Sequence, residues 1–447
     1  MTAQESNDSS ALDTGKQGRI IYGFIRAGFY GDLGDNAGRS FLSSAYSDLG
    51  LKIETSNKRS ARAFADVRFR YGSEFHDPVN SITIKEAFAE YTWKKWEISG
   101  GQKIIKWGRA DFTNPTSRLN PQNYISRSPD REDMDMGNLL ALIKWYPSDY
   151  ITFEAVAVPY YKSSVLIIDP IPLPENVKVN EIQNLLTNDK KLSYALKADF
   201  HLRGIDFSTS WFDGYDPMPG IALTNFSLDL SGPLPVPSTE LSATPYKTRV
   251  LGADFESSFG MFGIRGEGAW SVPYLSWKTH EFVPLPELKW VLGIDWTSGD
   301  WRIIGEYTGK SVRDYTPASA APILAVQPDY AQLAQLLGQP GFDINEYVRQ
   351  QVASFNRLYN YQLRRSYHSA GLKVETELLY GKVLPSVFAL YNFTSRDLLL
   401  IPELRIKPVD GMTLVVGIEF YSGAKGSLYD IVNDFMNSVY AGIRIDF

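Results

Sequence analysis

The chain has 447 residues, 26 Tyr, 24 Phe and 10 Trp, no Cys and a formal net charge of -6, yet its mean hydropathy is only -0.22. No run of about eighteen apolar residues occurs, which excludes a helical membrane protein, and the lack of Cys excludes disulfides, a thiol nucleophile and a CxxCH haem site. The mild acidity argues against a nucleic-acid partner.

Residues 1–18, MTAQESNDSSALDTGKQG, are polar and lack the apolar core of a signal peptide; they read as a flexible mature N-terminus with a Met added. From residue 19 onward the chain alternates. Arg59 to Tyr71 sets Ala61, Ala63, Ala65, Val67, Phe69 and Tyr71 against Arg62, Asp66, Arg68 and Arg70. Leu192 to Arg203 sets Leu192, Tyr194, Leu196, Ala198, Phe200 and Leu202 against Ser193, Lys197, Asp199, His201 and Arg203. Met261 to Tyr274 and Glu287 to Trp296 repeat the pattern. Period-two segments of about ten residues, with aromatics at the ends of the apolar face, are what strands between lipid and a polar lumen require. A closed barrel is the way such strands span lipid, because each backbone N–H and C=O then finds a partner on a neighbouring strand.

The predicted fold is therefore all-β, a transmembrane antiparallel up-and-down barrel of about eighteen strands. The segments lie near 19–30, 41–54, 60–73, 82–93, 95–107, 138–147, 149–161, 192–203, 204–213, 248–259, 261–273, 287–297, 300–311, 366–378, 383–394, 396–407, 411–422 and 437–447. Sixteen is the other count, because 138–147 and 383–394 alternate less cleanly. Short connections such as Lys94-Lys95 and Gly260 take turns with long insertions at 108–137, 162–191, 214–247, 274–286, 312–365 and 423–436. Residues 19–447 read as one barrel domain.

The long insertions carry patterns of their own. In 312–365, Ile344, Tyr347, Val348, Gln351, Val352, Phe355, Leu358 and Tyr359 recur at helical spacing, after a second helical stretch at Tyr330 to Leu337. Gly338-Gln339-Pro340-Gly341 separates the two as a helical hairpin, which either caps the mouth or folds into the lumen. The Pro-rich, apolar stretches 164–175 and 231–238 either gather an amphipathic substrate or pack on each other.

The inward face carries mixed charge: Arg62, Asp66, Arg68 and Arg70, then Glu86 and Glu90, then Glu97 and Lys103. Adjacent strands bring these within cross-strand reach. They form either a salt-bridged lining or a constriction whose transverse field orients a polar solute. In 108–137, Arg109, Arg118, Arg127 and Arg131 accompany Asp111, Asp130, Glu132, Asp133 and Asp135, a set suited to tying an infolded constriction loop to the wall. A surface loop is the alternative.

Two segments carry a resemblance. The final strand, SVYAGIRIDF, alternates and stops on Phe447, with Tyr440 seven positions earlier. It resembles the closing strand of bacterial outer-membrane β-barrels. That resemblance implies lipid and lipopolysaccharide around the wall, the barrel-assembly machinery as reader of Tyr440 and Phe447, tight periplasmic turns and long extracellular loops. The segment Gly100 to Arg131 contains GQKIIKWGRAD followed by Asn114-Pro115 and Leu119-Asn120-Pro121. It resembles a segment of a large family of uncharacterised barrels related to porin-like and alginate-export-type proteins.

The expected function is a channel that passes polar or amphipathic small solutes. The alternatives are a non-conducting scaffold whose loops dock an envelope protein, and a transporter of hydrophobic molecules. An enzyme lacks support: only His76, His201, His280 and His368 offer a base, and neither G-x-S-x-G nor H-E-x-x-H occurs. No cofactor is expected, and the carboxylate-rich stretch 129–135 is the one place suited to trap a cation.

Overall fold

The computed structural model describes residues 18–34, 40–57, 60–166, 177–180, 192–232, 235–323 and 330–447. The N-terminal segment up to residue 17, most of the Pro-rich stretch 164–175 and part of 231–238 lie outside these residues.

Twenty-one strands follow in chain order: β1 (Gly18–Asp32), β2 (Leu42–Asn57), β3 (Ala61–Glu74), β4 (Asp77–Trp93), β5 (Trp96–Lys103), β6 (Asn138–Ser148), β7 (Ile151–Val158), β8 (Val177–Asn180), β9 (Ser193–Leu202), β10 (Ile205–Tyr215), β11 (Gly220–Asp229), β12 (Val236–Thr244), β13 (Lys247–Phe259), β14 (Phe262–Pro273), β15 (Glu287–Ser298), β16 (Trp301–Val312), β17 (Ser366–Thr376), β18 (Val383–Asn392), β19 (Asp397–Ile406), β20 (Met412–Ser422) and β21 (Ser438–Asp446). All except β8, β11 and β12 join one 18-stranded antiparallel sheet. It closes on itself, with Phe24 of β1 opposite Asp446 of β21 and Asp32 opposite Ser438. Gly23 and the terminal Phe447 exchange both backbone hydrogen bonds at 2.9 Å, so the last residue completes the seam. Closure leaves no open edge for lipid to face.

Alternation sorts the side chains across this wall. Leu196, Leu251, Leu292, Ile294 and Leu372 point outward and are exposed. Exposed aromatics flank this aliphatic band, with Trp93, Tyr150, Phe259 and Phe262 at the short-turn end and Phe29, Tyr71, Tyr194 and Tyr274 at the other. Arg26, Asp48, Asp199, Asp254 and Glu306 point inward.

The two less regular segments are both staves, β6 and β18, which makes the count eighteen. Their alternation is blurred because their inward faces meet protein instead of water. Leu140 and Leu142 pack on Ile105, Trp107 and Leu119 of the 104–137 segment, and Phe388 meets Phe112 of the same segment.

Several boundaries differ from the periodicity. β5 stops at Lys103 instead of 107, because Ile105 and Trp107 continue the alternation into an internal core and not toward lipid. β3 and β4 run on to a two-residue turn at Phe75 and His76, whose φ of 49° and 70° are left-handed. There the hairpin rises past the apolar belt, so no lipid enforces period two. The insertion at 214–247 contains β11 and β12, which pair with each other, and β12 also pairs in parallel with β8. The insertion 423–436 contains a helix.

Among the described residues the α-helices are α1 (Tyr330–Leu337), α2 (Ile344–Tyr359) and α3 (Leu428–Met436). Asp343 caps α2 by accepting from the Asn345 and Glu346 amides. Val352, Phe355 and Leu358 of α2 pack on Ile221 and Leu241 of the small sheet, so the hairpin helix caps the long-loop end. The described part of the apolar stretch 164–175 joins the same cluster through Leu166.

Candidate functional site

Residues 104–137 leave the wall at β5 and fold into the lumen. At the root, the Ile104 amide donates to Glu86 at 2.8 Å, Lys103 pairs with Glu90 at 2.8 Å, and the Trp107 indole donates to Glu154 at 3.0 Å.

Two wall carboxylates then receive the loop backbone. Glu267 of β14 accepts from the Arg109 and Ala110 amides at 3.1 and 3.3 Å, and from both the amide and the hydroxyl of Thr116 at 2.7 Å. Glu306 of β16 accepts from the amides of Asp111, Phe112 and Thr113 at 2.9, 3.1 and 3.1 Å. Converging N–H donors make such a turn a receptor for an anion. Gly108 permits the close approach: its φ is +88°, and a Cβ there would lie 2.5 Å from a Glu267 oxygen. Side chains add charge pairs. Arg109 reaches Asp254 at 2.6 Å, Glu256 at 2.5 Å and Asp199 at 3.4 Å, and Asp111 meets Arg265 at 2.9 Å. Arg118 donates to Asp216 at 3.0 Å.

The returning half of the loop docks across the lumen. Arg127, 1% exposed, donates to the Phe435 carbonyl of α3 at 2.8 Å, to Ser438 at 3.1 Å and to Glu419 at 3.3 Å. Asp130 meets Arg405, Arg444 and Arg26 at 2.8, 3.0 and 3.2 Å. Asp133 meets Arg26 at 2.7 Å, Lys85 at 3.4 Å and Arg68 at 3.7 Å. Burial alone would push the Asp133 carboxyl up, but Arg26, Lys85, the Ser128 hydroxyl and Arg68 together outweigh it and hold it well below the usual carboxylate range. Asp130 is held low in the same way, with Arg405 and Arg26 outweighing its burial.

Arg62, Asp66, Arg68 and Arg70 form local pairs on the wall. Arg62 meets Glu54 at 2.8 Å, Arg68 meets Asp66 at 2.5 Å, and Arg70 meets Asp48 at 2.6 Å and also Glu74. Arg131 differs: among the described residues it has no ion pair, and its guanidinium lies 4.9 Å from the centre of the Phe388 ring. In stretch 129–135 the carboxylates are engaged by basic side chains. Asp130 and Asp133 meet arginines, Glu132 and Asp135 lie near Lys106, and no group of three His, Asp or Glu side chains converges to hold a metal among the described residues. Tyr440 faces the lumen, stacks on Tyr30 at 5.4 Å and donates to Glu403 at 2.8 Å. Phe447 faces outward and is exposed.

Asp48, Phe112 and Phe388 are site residues that the sequence alone did not single out, whereas Arg26, Glu267 and Glu306 are readable from it as inward-facing charges without their partners. Signals existed for the two glutamates, which sit inward on regular strands, and for Arg26, which shares the lumen face with Tyr30. Phe112 carries no such signal.

Below the loop, toward the short turns, lies a cavity of about 1290 Å³ whose lining includes Arg68, Lys106, Asp130, Arg302, Lys373 and Glu375. A second, of about 140 Å³, lies on the long-loop side of the loop tip, between Thr113, Ser369, Leu390 and Tyr429.

A closed eighteen-stranded antiparallel barrel with a long loop folded across a charged lumen is a transmembrane up-and-down β-barrel. Solved structures agree on that fold. The chain is similar to OccD3 (OpdP) of Pseudomonas aeruginosa, with 10% identity over 96% of this chain and 91% of that one at a TM-score of 0.52. It is likewise similar to OccK3 (OpdO) of the same organism, at 9% identity, 96% and 95% coverage and a TM-score of 0.53, and to OccAB2 of Acinetobacter baumannii, at 9% identity, 96% and 97% coverage and a TM-score of 0.53. No protein-family model and no curated protein matches the chain.

Proposed function

We propose that the protein is a channel of the bacterial outer membrane, through which small polar or amphipathic solutes diffuse, with its short turns in the periplasm and its long loops outside. The observation that carries this reading is the charge-lined cavity of about 1290 Å³ that reaches the short-turn end inside a closed wall. Its mixture of acids and bases suits polar solutes of either sign better than one ion. The apolar belt between aromatic girdles suits lipid and lipopolysaccharide. Phe447 at the seam, with Tyr440 in the same strand, is the end offered to the barrel-assembly machinery. Among outer-membrane barrels, the motif in 100–131 favours alginate-export-type relatives, and this finer assignment rests on that motif alone.

A second reading, a non-conducting scaffold, has one observation in its favour. Asn356 of α2 accepts from the Ile221 amide at 2.8 Å and donates to the Ile221 and Glu281 carbonyls at 2.7 and 3.0 Å. The mouth loops are thereby locked into a roof on which an envelope protein would dock.

Liposome swelling separates the two. Reconstituted barrel should admit small sugars and amino acids at rates that fall with solute size. A folded barrel that admits none would favour the scaffold.

A further inference from the structure

The linings of the two lumen cavities meet at the tip of the infolded loop. Asp111 and Phe112 line the larger one, and their neighbour Thr113 lines the smaller. On the wall opposite, β18 presents Phe388 to the larger and Leu390 to the smaller, and β16 presents Ile304 to the larger and Thr308 to the smaller. Phe112 and Phe388 meet edge to face between them, with ring centres 4.9 Å apart. On β17, the matching position is Gly371. A Cβ there would lie 2.6 Å from a Phe112 ring carbon and 3.5 Å from Leu390, so the missing side chain makes the slot that the ring occupies.

The ring is also held from behind. Its own amide and those of its two neighbours donate to Glu306, which fixes the backbone that carries it. Arg131 covers the Phe388 ring from the large-cavity side. An apolar plug between the charge-lined larger cavity and a smaller one that Thr308, Ser369 and Asn392 line opposes wetting and so blocks charged and polar solutes until it moves.

We propose that the solute route runs along β16–β18 from the larger cavity to the smaller, and that Phe112 against Phe388 is its narrowest point and sets which solutes pass. This rests on the channel reading given above, and it names the residue on which selection by size depends.

The chain has no Cys, so single introduced thiols report accessibility without background. Ser386→Cys places one in the larger cavity and Ser369→Cys places one in the smaller, both as near-isosteric changes. A cationic methanethiosulfonate is added from the short-turn side of the bilayer-inserted barrel, and modification is read by mass. Ser386→Cys should react at the same rate whether residue 112 is Phe or Ala. Ser369→Cys should react slowly beside Phe112 and about ten-fold faster or more in the Phe112→Ala background. Phe112→Leu, which keeps an apolar side chain in the slot, should fall between them and guards against a loop that misfolds. Equal rates at Ser369→Cys in all three backgrounds would overturn the proposal. Mass labelling does not need current. Accelerated labelling in a barrel that never conducts would uphold the gate and sink the channel, whereas steady conductance with unchanged labelling would keep the channel and remove this route.

Discussion

Arg109 of the infolded loop donates to Asp254 of β13 at 2.6 Å, a contact between residues 145 positions apart in the chain. It lies beside the two carboxylates, Glu267 and Glu306, that hold the loop backbone. The loop is therefore fixed to the far wall by charge-assisted bonds, which are stronger than neutral ones inside a lumen where water competes less. Arg127 and Asp130 repeat the arrangement at the other end. A strut anchored at both ends narrows the lumen without a dedicated domain.

Glu306→Gln removes the charge but nearly keeps the shape, so the amides of Asp111, Phe112 and Thr113 lose a carboxylate acceptor. The expected cost to docking of the loop tip is about 1–3 kcal/mol. Hydrogen exchange should accelerate at 110–114 while the wall strands keep their protection. Unchanged exchange at these amides would mean that Glu306 does not hold the tip.

The wall was legible in the sequence because lipid on one side and water on the other impose period two on each stave, as Tyr194, Leu196 and Ala198 against Ser193, Lys197 and Asp199 illustrate. The rule weakens wherever a third environment intervenes. β6 and β18 alternate poorly because Leu142 and Phe388 meet the loop, and Ile105 and Trp107 mimic a strand while they fill a core. α3 was visible in Leu428, Ile431, Val432, Phe435 and Met436, which share one face, but a nine-residue helix inside an insertion is easily passed over. Within the site, the residue types of the loop were readable and their partners were not. Which carboxylate meets Arg109 depends on how far around the barrel the loop reaches, and no local spacing encodes that distance.

Acid should leave the second anchor intact until the pH is low. The folded values of Asp130 and Asp133 lie below their ordinary values, so their contribution to docking is complete above the usual Asp range and is lost as pH falls through the depressed values. Exchange protection of 126–135, corrected for intrinsic rates, should hold steady from about pH 7 to 5 and weaken only below about 4. Asp133→Asn should loosen the segment at neutral pH, because Arg26 and Lys85 lose a buried counter-ion, and the difference from the unaltered protein should shrink in strong acid. A loosening between pH 7 and 5 in the unaltered protein would contradict this account.

Arg68 and Arg70 share a strand face but not a role. Arg68 lines the larger cavity, whereas Arg70 lies over the Tyr46 ring at 4.0 Å and is engaged by Asp48 and Glu74. Arg68→Glu should shift the reversal potential toward cations. Arg70→Glu should leave that potential unchanged and cost about 3 kcal/mol of stability, since Asp48 would then face a like charge. Thermal melts followed by gel mobility of the barrel would register the second effect. Equal shifts of the reversal potential would place both arginines on the solute path.

Single-channel recording in planar bilayers tests the central claim most directly. An open channel should give discrete current steps whose amplitude rises when Phe112 is replaced by Ala or when Glu306→Gln frees the loop tip, with weak preference between cations and anions. Silence from the folded barrel in all three forms, across a range of voltages, would contradict that claim.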